Sequence, residues 1–184
     1  CGEILREAIE KKAGEEVIQS LKKHFGEIKE GLGAHKTPAE YGAFPIDPYS
    51  HTPGFAGVQQ PGMTGQVKED IITRFAELGV KIADGEISFD PAFLSTSEFI
   101  KKPVKWQFYK SNNQELIELE ENCLAFCICG IPVIYKQETA QKIEIHLIDG
   151  SIKTFQGKTI DKNFSNKIFK RDSSLLKIMV STGK

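Results

Sequence analysis

The sequence has no run of about 18 or more apolar residues, the length a helix needs to span a bilayer. It also lacks the charged segment and apolar core that direct secretion. No C-x-x-C pair is present: the four cysteines are Cys1, Cys123, Cys127 and Cys129, a spacing that favours neither a zinc site nor a disulfide framework. Charge of one sign is missing too. Twenty-four Lys and Arg against 25 Asp and Glu leave a formal net charge of −1, which argues against nucleic acid or an anionic membrane surface as partner. No repeat and no low-complexity segment occurs. With no leader and no disulfide pattern, the reading leans to the cytoplasm.

What is there is an ordinary globular composition, 184 residues of which 40% are hydrophobic and 27% charged, enough to bury a substantial core. The chain begins at Cys1 rather than Met and enters a helical pattern almost at once, which suggests a processed chain, an excised domain or a piece of something longer. From Glu3 to about Gly31, Ile4, Leu5, Ala8 and Ile9, then Val17, Ile18, Leu21, Phe25 and Ile28, recur at helical spacing. Gly14 lies between the two halves, so one helix or two are expected. A second helix is expected from Thr64, with Val67, Ile71, Phe75 and Leu78 on its apolar face and Gly79 closing it.

After Gly79 the pattern turns to alternation. Ile87 and Phe89 alternate with Ser88 and Asp90 in a first run that Pro91 ends, and further strands are expected at Val104 to Tyr109, Leu116 to Glu120, Leu124 to Cys129, Ile131 to Lys136, Ile143 to Ile148, Ile152 to Phe155 and Leu175 to Val180, with a short helix or turn at Asn163 to Lys170. Asp149-Gly150 reads as a two-residue hairpin turn. Cys127 and Cys129 would share a strand face and pack as small hydrophobes. The fold class is therefore α+β: residues 1–85 a helical segment carrying a long loop, residues 86–184 an antiparallel β domain of sandwich or jelly-roll kind.

The long loop is the unusual part. From Gly31 to Pro61 glycine and proline are too dense for regular structure, yet Tyr41, Phe44, Tyr49 and Phe55 are anchors a linker lacks. Within Asp47 to Lys68 lie residues suited to holding a polar ligand. Thr64 and Gly65 stand at a helix start, where free N–H groups and the helix dipole favour an anion or hydroxyl; Thr64 alternatively only caps the helix. His51 offers phosphate binding, a hydroxyl contact or acid–base work, or a structural hydrogen bond. Gln59 and Gln60 bring the amides that grip sugar hydroxyls, and Tyr49 brings an aromatic face or a loop anchor. Asp47, Glu69 and Asp70 are the nearby carboxylates; no opposed pair for glycoside hydrolysis can be named among them.

The order of these parts carries a resemblance. A loop with His51, the Gly62-Met63-Thr64-Gly65 turn into a helix, then Gly85-Glu86-Ile87-Ser88-Phe89-Asp90-Pro91-Ala92-Phe93-Leu94 and a β domain resembles the end of an (α/α)6-barrel carbohydrate-active enzyme. It is similar to the cellobiose phosphorylase group and its six-hairpin relatives. The resemblance implies N-terminal helices that end such a barrel and a C-terminal β-sandwich. It further implies inorganic phosphate held at Thr64 and Gly65 as a co-substrate, with His51 beside it, and an oligosaccharide or sugar phosphate as ligand. No other cofactor and no metal are expected. The general acid would lie upstream, in the remainder of a longer polypeptide. Where those enzymes follow the turn with a small residue and an aromatic, this chain has Gln66, Val67 and Lys68, so hydrolysis stands beside phosphorolysis. A non-catalytic carbohydrate-binding or structural accessory module remains the alternative.

Overall fold

The apolar stripe over residues 3–31 folds as two helices, α1 (Gly2–Glu10) and α2 (Glu15–Gly31), in a computed structural model that describes residues 2–31, 71–72, 74–110 and 113–183. The break is made by Lys12, which adopts a left-handed backbone at φ 54°. Its N–H donates to Ile9 O (3.0 Å) while Ala13 N–H donates to Ala8 O (2.9 Å), the pair of bonds that ends a helix in a Schellman turn. Gly14 O then accepts from Val17 N–H and Ile18 N–H, so α2 starts at once. A Cβ added at Gly2 would lie 3.2 Å from the Phe25 ring. The start of α1 therefore packs on the body of α2 as an antiparallel hairpin, with Leu5 buried. Farther along, residues 71–72 and 74–77 are helical; the part of that helix expected before Ile71 lies outside the described residues.

The chain forms two compact units that divide between Glu77 and Leu78. Among the described residues the second contains ten strands. They are β1 (Val80–Ala83), β2 (Glu86–Phe89), β3 (Val104–Lys110), β4 (Asn113–Leu119), β5 (Cys123–Ile128), β6 (Ile131–Lys136), β7 (Gln141–Leu147), β8 (Ile152–Gln156), β9 (Thr159–Ile160) and β10 (Leu175–Thr182). Helix α3 (Lys162–Phe169) precedes β10. The boundary drawn from the sequence at 85/86 falls in the Asp84-Gly85 turn between β1 and β2, whose strands pair Ala83 with Glu86.

Five strands make the largest sheet, in the order β5-β6-β10-β7-β8; β1-β2-β9 form a second and β3-β4 a third. The expectation of a wholly antiparallel domain is corrected here, because β10 runs parallel to β6 and antiparallel to β7. The cause is connectivity. The β6–β7 link leaves a gap one strand wide, and β10, arriving from α3, fills it in the direction of β6.

One face of this sheet supplies the main core. Val133, Tyr135, Ile143, Ile145, Ile178 and Val180 pack there with Ile87 and Phe89 of β2, Ile160 of β9 and Ile168 of α3. Alternate residues along each strand point this way, as the period of two requires. Aromatic edges lock the middle: Tyr135 meets Phe89 at 6.1 Å and Phe126 at 5.2 Å between centroids, both T-shaped. Helix α3 is capped by Asp161, whose carboxylate accepts Phe164 N–H (2.9 Å). The opposite face of the sheet is covered in part by the β3–β4 hairpin, where Trp106, Ile117 and Leu119 pack against Cys123, Ile134 and Met179.

Two further expectations change. Cys127 is exposed and Cys129 half-buried. Cys129 stands at φ 52° in the Cys129-Gly130 turn joining β5 to β6, so the two do not share a strand face. Asp149-Gly150 does not make a two-residue turn. Leu147 N–H donates to Ser151 O and Gly150 N–H to Leu147 O, the three-residue loop with a left-handed third position. The Asp149 carboxylate fixes it by accepting both Ser151 N–H (2.9 Å) and Ser151 Oγ–H (2.6 Å).

Candidate functional site

Tyr49, His51, Gln59, Gln60, Thr64 and Gly65, the residues expected to bind substrate or phosphate, all lie outside the described residues, as do Asp47, Glu69 and Asp70. Of the other histidines, His24 is an exposed residue of α2 and His146 a half-buried residue of β7. The geometry that can be built from the described residues belongs to the β unit.

Its polar surface follows from strand register. On the face turned away from the main core, Lys136, Ser181, Lys142 and Gln156 form one row across β6, β10, β7 and β8. Ile134, Met179, Glu144 and Thr154 form the next. Lys177, His146 and Ile152 form a third. Lys136 Nζ lies 2.8 Å from the Glu120 carboxylate and 3.4 Å from that of Glu138. Ser181 Oγ donates to Glu138 (2.7 Å), and Lys142 Nζ lies 2.7 Å from Glu144.

These contacts set the charges. The Ser181 hydroxyl, and then Lys136, hold the Glu138 carboxyl below its ordinary range; the hydrogen bond from Lys136 does the same for Glu120. Lys136 and Lys142 are pushed up by the same partners. Asp149 and Asp172 are also held low, by hydrogen bonds from Ser151 and Ser174. A general acid at neutral pH needs the opposite, a carboxyl raised by burial or by a like charge. The shifted carboxylates therefore suit a charge-paired surface and not an acid–base pair. Exposed pairs of this kind add little to stability.

The nucleophile candidates point the same way. Burial raises the thiols of Cys123 and Cys127, which disfavours the reactive thiolate. The Tyr135 hydroxyl, pushed well up by burial, is committed to Leu78 O at 2.5 Å. Among the described residues no group of three or more His, Cys, Asp or Glu is placed to hold a metal ion. No protein-family model matches the chain, and no curated protein matches it. The row through Lys136, Ser181 and Lys142 was not singled out from sequence. Alternation within β7 and β10 carries part of the signal, but the pairing of β10 with both β6 and β7 does not show in any local pattern.

His146 gives a pH prediction. Burial, then the Lys177 ammonium, push its pKa below the ordinary value, against a smaller upward pull from Glu144. The folded β unit thus resists a proton that the unfolded chain accepts. Stability is full above the unfolded value of about 6.5 and declines as pH falls below it. The carboxylates held low act only in a more acid window, below about pH 4.5, where they too lose stability on protonation. Urea midpoints followed through Trp106, the single tryptophan, should fall in two steps. His146→Gln should remove the upper step and keep the lower; an unchanged upper step would show that another group causes it.

Proposed function

We propose that this chain is the C-terminal part of a carbohydrate-active enzyme of the six-hairpin (α/α)6-barrel kind, a glycoside phosphorylase or hydrolase. The helices of the first unit end the barrel and the second unit is its β-sandwich. The stretch from Asp47 to Lys68 forms one wall of the sugar site. Thr64 and Gly65 hold inorganic phosphate or a sugar hydroxyl at the helix start, and His51 lies beside them. Gln59 and Gln60 grip hydroxyls, and Tyr49 supplies an aromatic face. The chain is not catalytic alone; the general acid comes from the rest of a longer polypeptide.

The observation that carries the reading is this residue chemistry, placed before a helix and followed at once by a β-rich unit. Exposure in the first unit supports it. Ile4 is 59% exposed, Val17 51%, Ile71 51% and Ile72 68%, more apolar helix surface than helices with all their neighbours leave in water. The β unit, by contrast, buries Val133, Ile143, Ile145 and Ile178 completely. That closed core is what a non-catalytic accessory module would also have, and it keeps the second reading in play.

Activity separates the two. In the polypeptide that includes the upstream helices, release of a sugar 1-phosphate only when inorganic phosphate is present identifies phosphorolysis; release of free sugar without it identifies hydrolysis. Thr64→Ala and His51→Ala should each weaken phosphate or sugar binding by about tenfold or more, the loss expected for a hydrogen bond to a charged ligand, with the fold intact by circular dichroism. Unchanged kinetics in both variants would sink the site assignment. A start codon close to Cys1 would count against the enzyme.

A further inference from the structure

The β3–β4 hairpin has two faces with different duties. Trp106 and Ile117, paired across the strands, pack inward with Leu119 against the large sheet. Phe108 is buried and stacks on Trp106, 5.0 Å between centroids and 24° between planes. At its far end the hairpin is pinned by Lys110 Nζ, which donates to Leu175 O (2.8 Å). The inner face thus accounts for the hairpin's folding. The outer face carries Gln107 and Tyr109 on β3 opposite Leu116 and Gln114 on β4, in the register Gln107↔Leu116 and Tyr109↔Gln114. Tyr109 is 65% exposed and Leu116 62%. Nothing in the packing of the hairpin requires an aromatic ring and a leucine there.

We propose that this outer face is a saccharide-binding platform, in which the Tyr109 ring stacks on a pyranose and the amides of Gln107 and Gln114 bond its hydroxyls. It rests on the carbohydrate reading above and adds a second site to it. The composition matches a sugar's two-sided chemistry. Axial C–H groups make one face of a pyranose apolar, suited to an aromatic ring and Leu116, while equatorial hydroxyls ring its edge, suited to amides that both donate and accept. The spacing matches as well. Directly opposed residues stand about 4.5–5.5 Å apart at Cβ, and same-face neighbours along a strand about 6.6–6.8 Å apart. One ring on Tyr109 is therefore within reach of both amides. Farther along, Lys105 opposes Glu118, a charge-balanced rim that suits a neutral glycan and not an anionic polymer. The outer face extends along the paired strands from Lys105 and Glu118 to Tyr109 and Gln114, so the ligand class is a chain of sugars.

The test is titration of the whole chain with cellohexaose, xylohexaose and maltohexaose, followed by the side-chain amide signals of Gln107 and Gln114 in ¹⁵N-resolved spectra. At least one hexasaccharide should move both signals. Tyr109→Ala should weaken that binding by about tenfold, a loss of roughly 1.4 kcal/mol of stacking, whereas Tyr109→Phe keeps most of it. The thermal midpoint should not change, because Tyr109 is exposed. The platform is overturned if no saccharide moves either signal or if Tyr109→Ala binds as well as the parent. It is also overturned if sedimentation shows that Tyr109→Ala abolishes a self-association, which would make the face a contact between copies. Binding that depends on Thr64 and His51 but not on Tyr109 would overturn the platform and leave the proposed function standing. Binding that depends on Tyr109 in a protein without glycosidase or phosphorylase activity would do the reverse.

Discussion

Replacing Gly79 by Ala is expected to cost the β unit at least about 4 kcal/mol, the range of exceptional single substitutions, and to leave it largely unfolded. Gly79 has φ +69°, and a Cβ built there would stand 1.8 Å from Asp90 O, 2.1 Å from Asp90 C and 2.8 Å from Pro91 N. All three are backbone atoms and cannot turn aside as a side chain would. Nor can the segments separate cheaply. Asp90 N–H donates to Gly79 O (2.8 Å), the Tyr135 hydroxyl donates to Leu78 O, and Lys158 Nζ holds the Asp90 carboxylate (2.6 Å). Gly85→Ala is the control, since Gly85 also has a positive φ of +80° but no atom within 4 Å of an added Cβ. That variant should lose only the left-handed backbone cost of about 1–2 kcal/mol. Urea unfolding followed through Trp106 measures both. If the two variants lose the same stability, close packing at Gly79 is not the cause.

The same seam shows what local pattern can and cannot reveal. Gly79 is legible as the residue that ends a helix, but its contact with Asp90 is made by folding and leaves no mark in the sequence. Seven strands after Pro91 are legible from short apolar runs bounded by turn residues: β7 buries Ile143 and Ile145 in alternation, and β6 buries five residues in succession. The strand β1 escapes sequence reading because it is only four residues long, three of them exposed, too short a run to establish a period. The strand β9 was missed because two residues carry no period. The insertion of β10 between β6 and β7 is a matter of topology. Of the candidate ligand residues, Tyr49 to Gly65 are legible as residue types only. A segment dense in Pro and Gly has no period from which side-chain directions follow. The hairpin β3–β4 is different: its alternation already places Gln107 and Tyr109 on one face and Trp106 and Phe108 on the other.

Ser165 is the case where a residue read as part of a short helix turns out to join two strands. Its side chain is fully buried. The hydroxyl accepts Ile87 N–H (3.0 Å) and donates to Ile160 O (3.1 Å). Ile87 and Ile160 oppose each other in the β2–β9 pair, so one hydroxyl ties α3 to two of the three strands of the β1-β2-β9 sheet. Ser165→Ala removes an acceptor and a donor where water cannot replace them, and is expected to cost about 2–3 kcal/mol, the penalty for buried polar groups left without partners. The contrast is Thr182→Val. Thr182 is also buried, but its Oγ1 finds no partner among the described residues, so a methyl of similar size should be neutral or slightly stabilising. A hydroxyl matters for what it bonds, not for being buried. Amide exchange locates the effect: in Ser165→Ala the Ile87 N–H should lose protection before that of Val133 in the large sheet, because the bond removed belongs to β2. Equal losses at both positions would mean that the β1-β2-β9 sheet does not open by itself, and that Ser165 acts through the core as a whole.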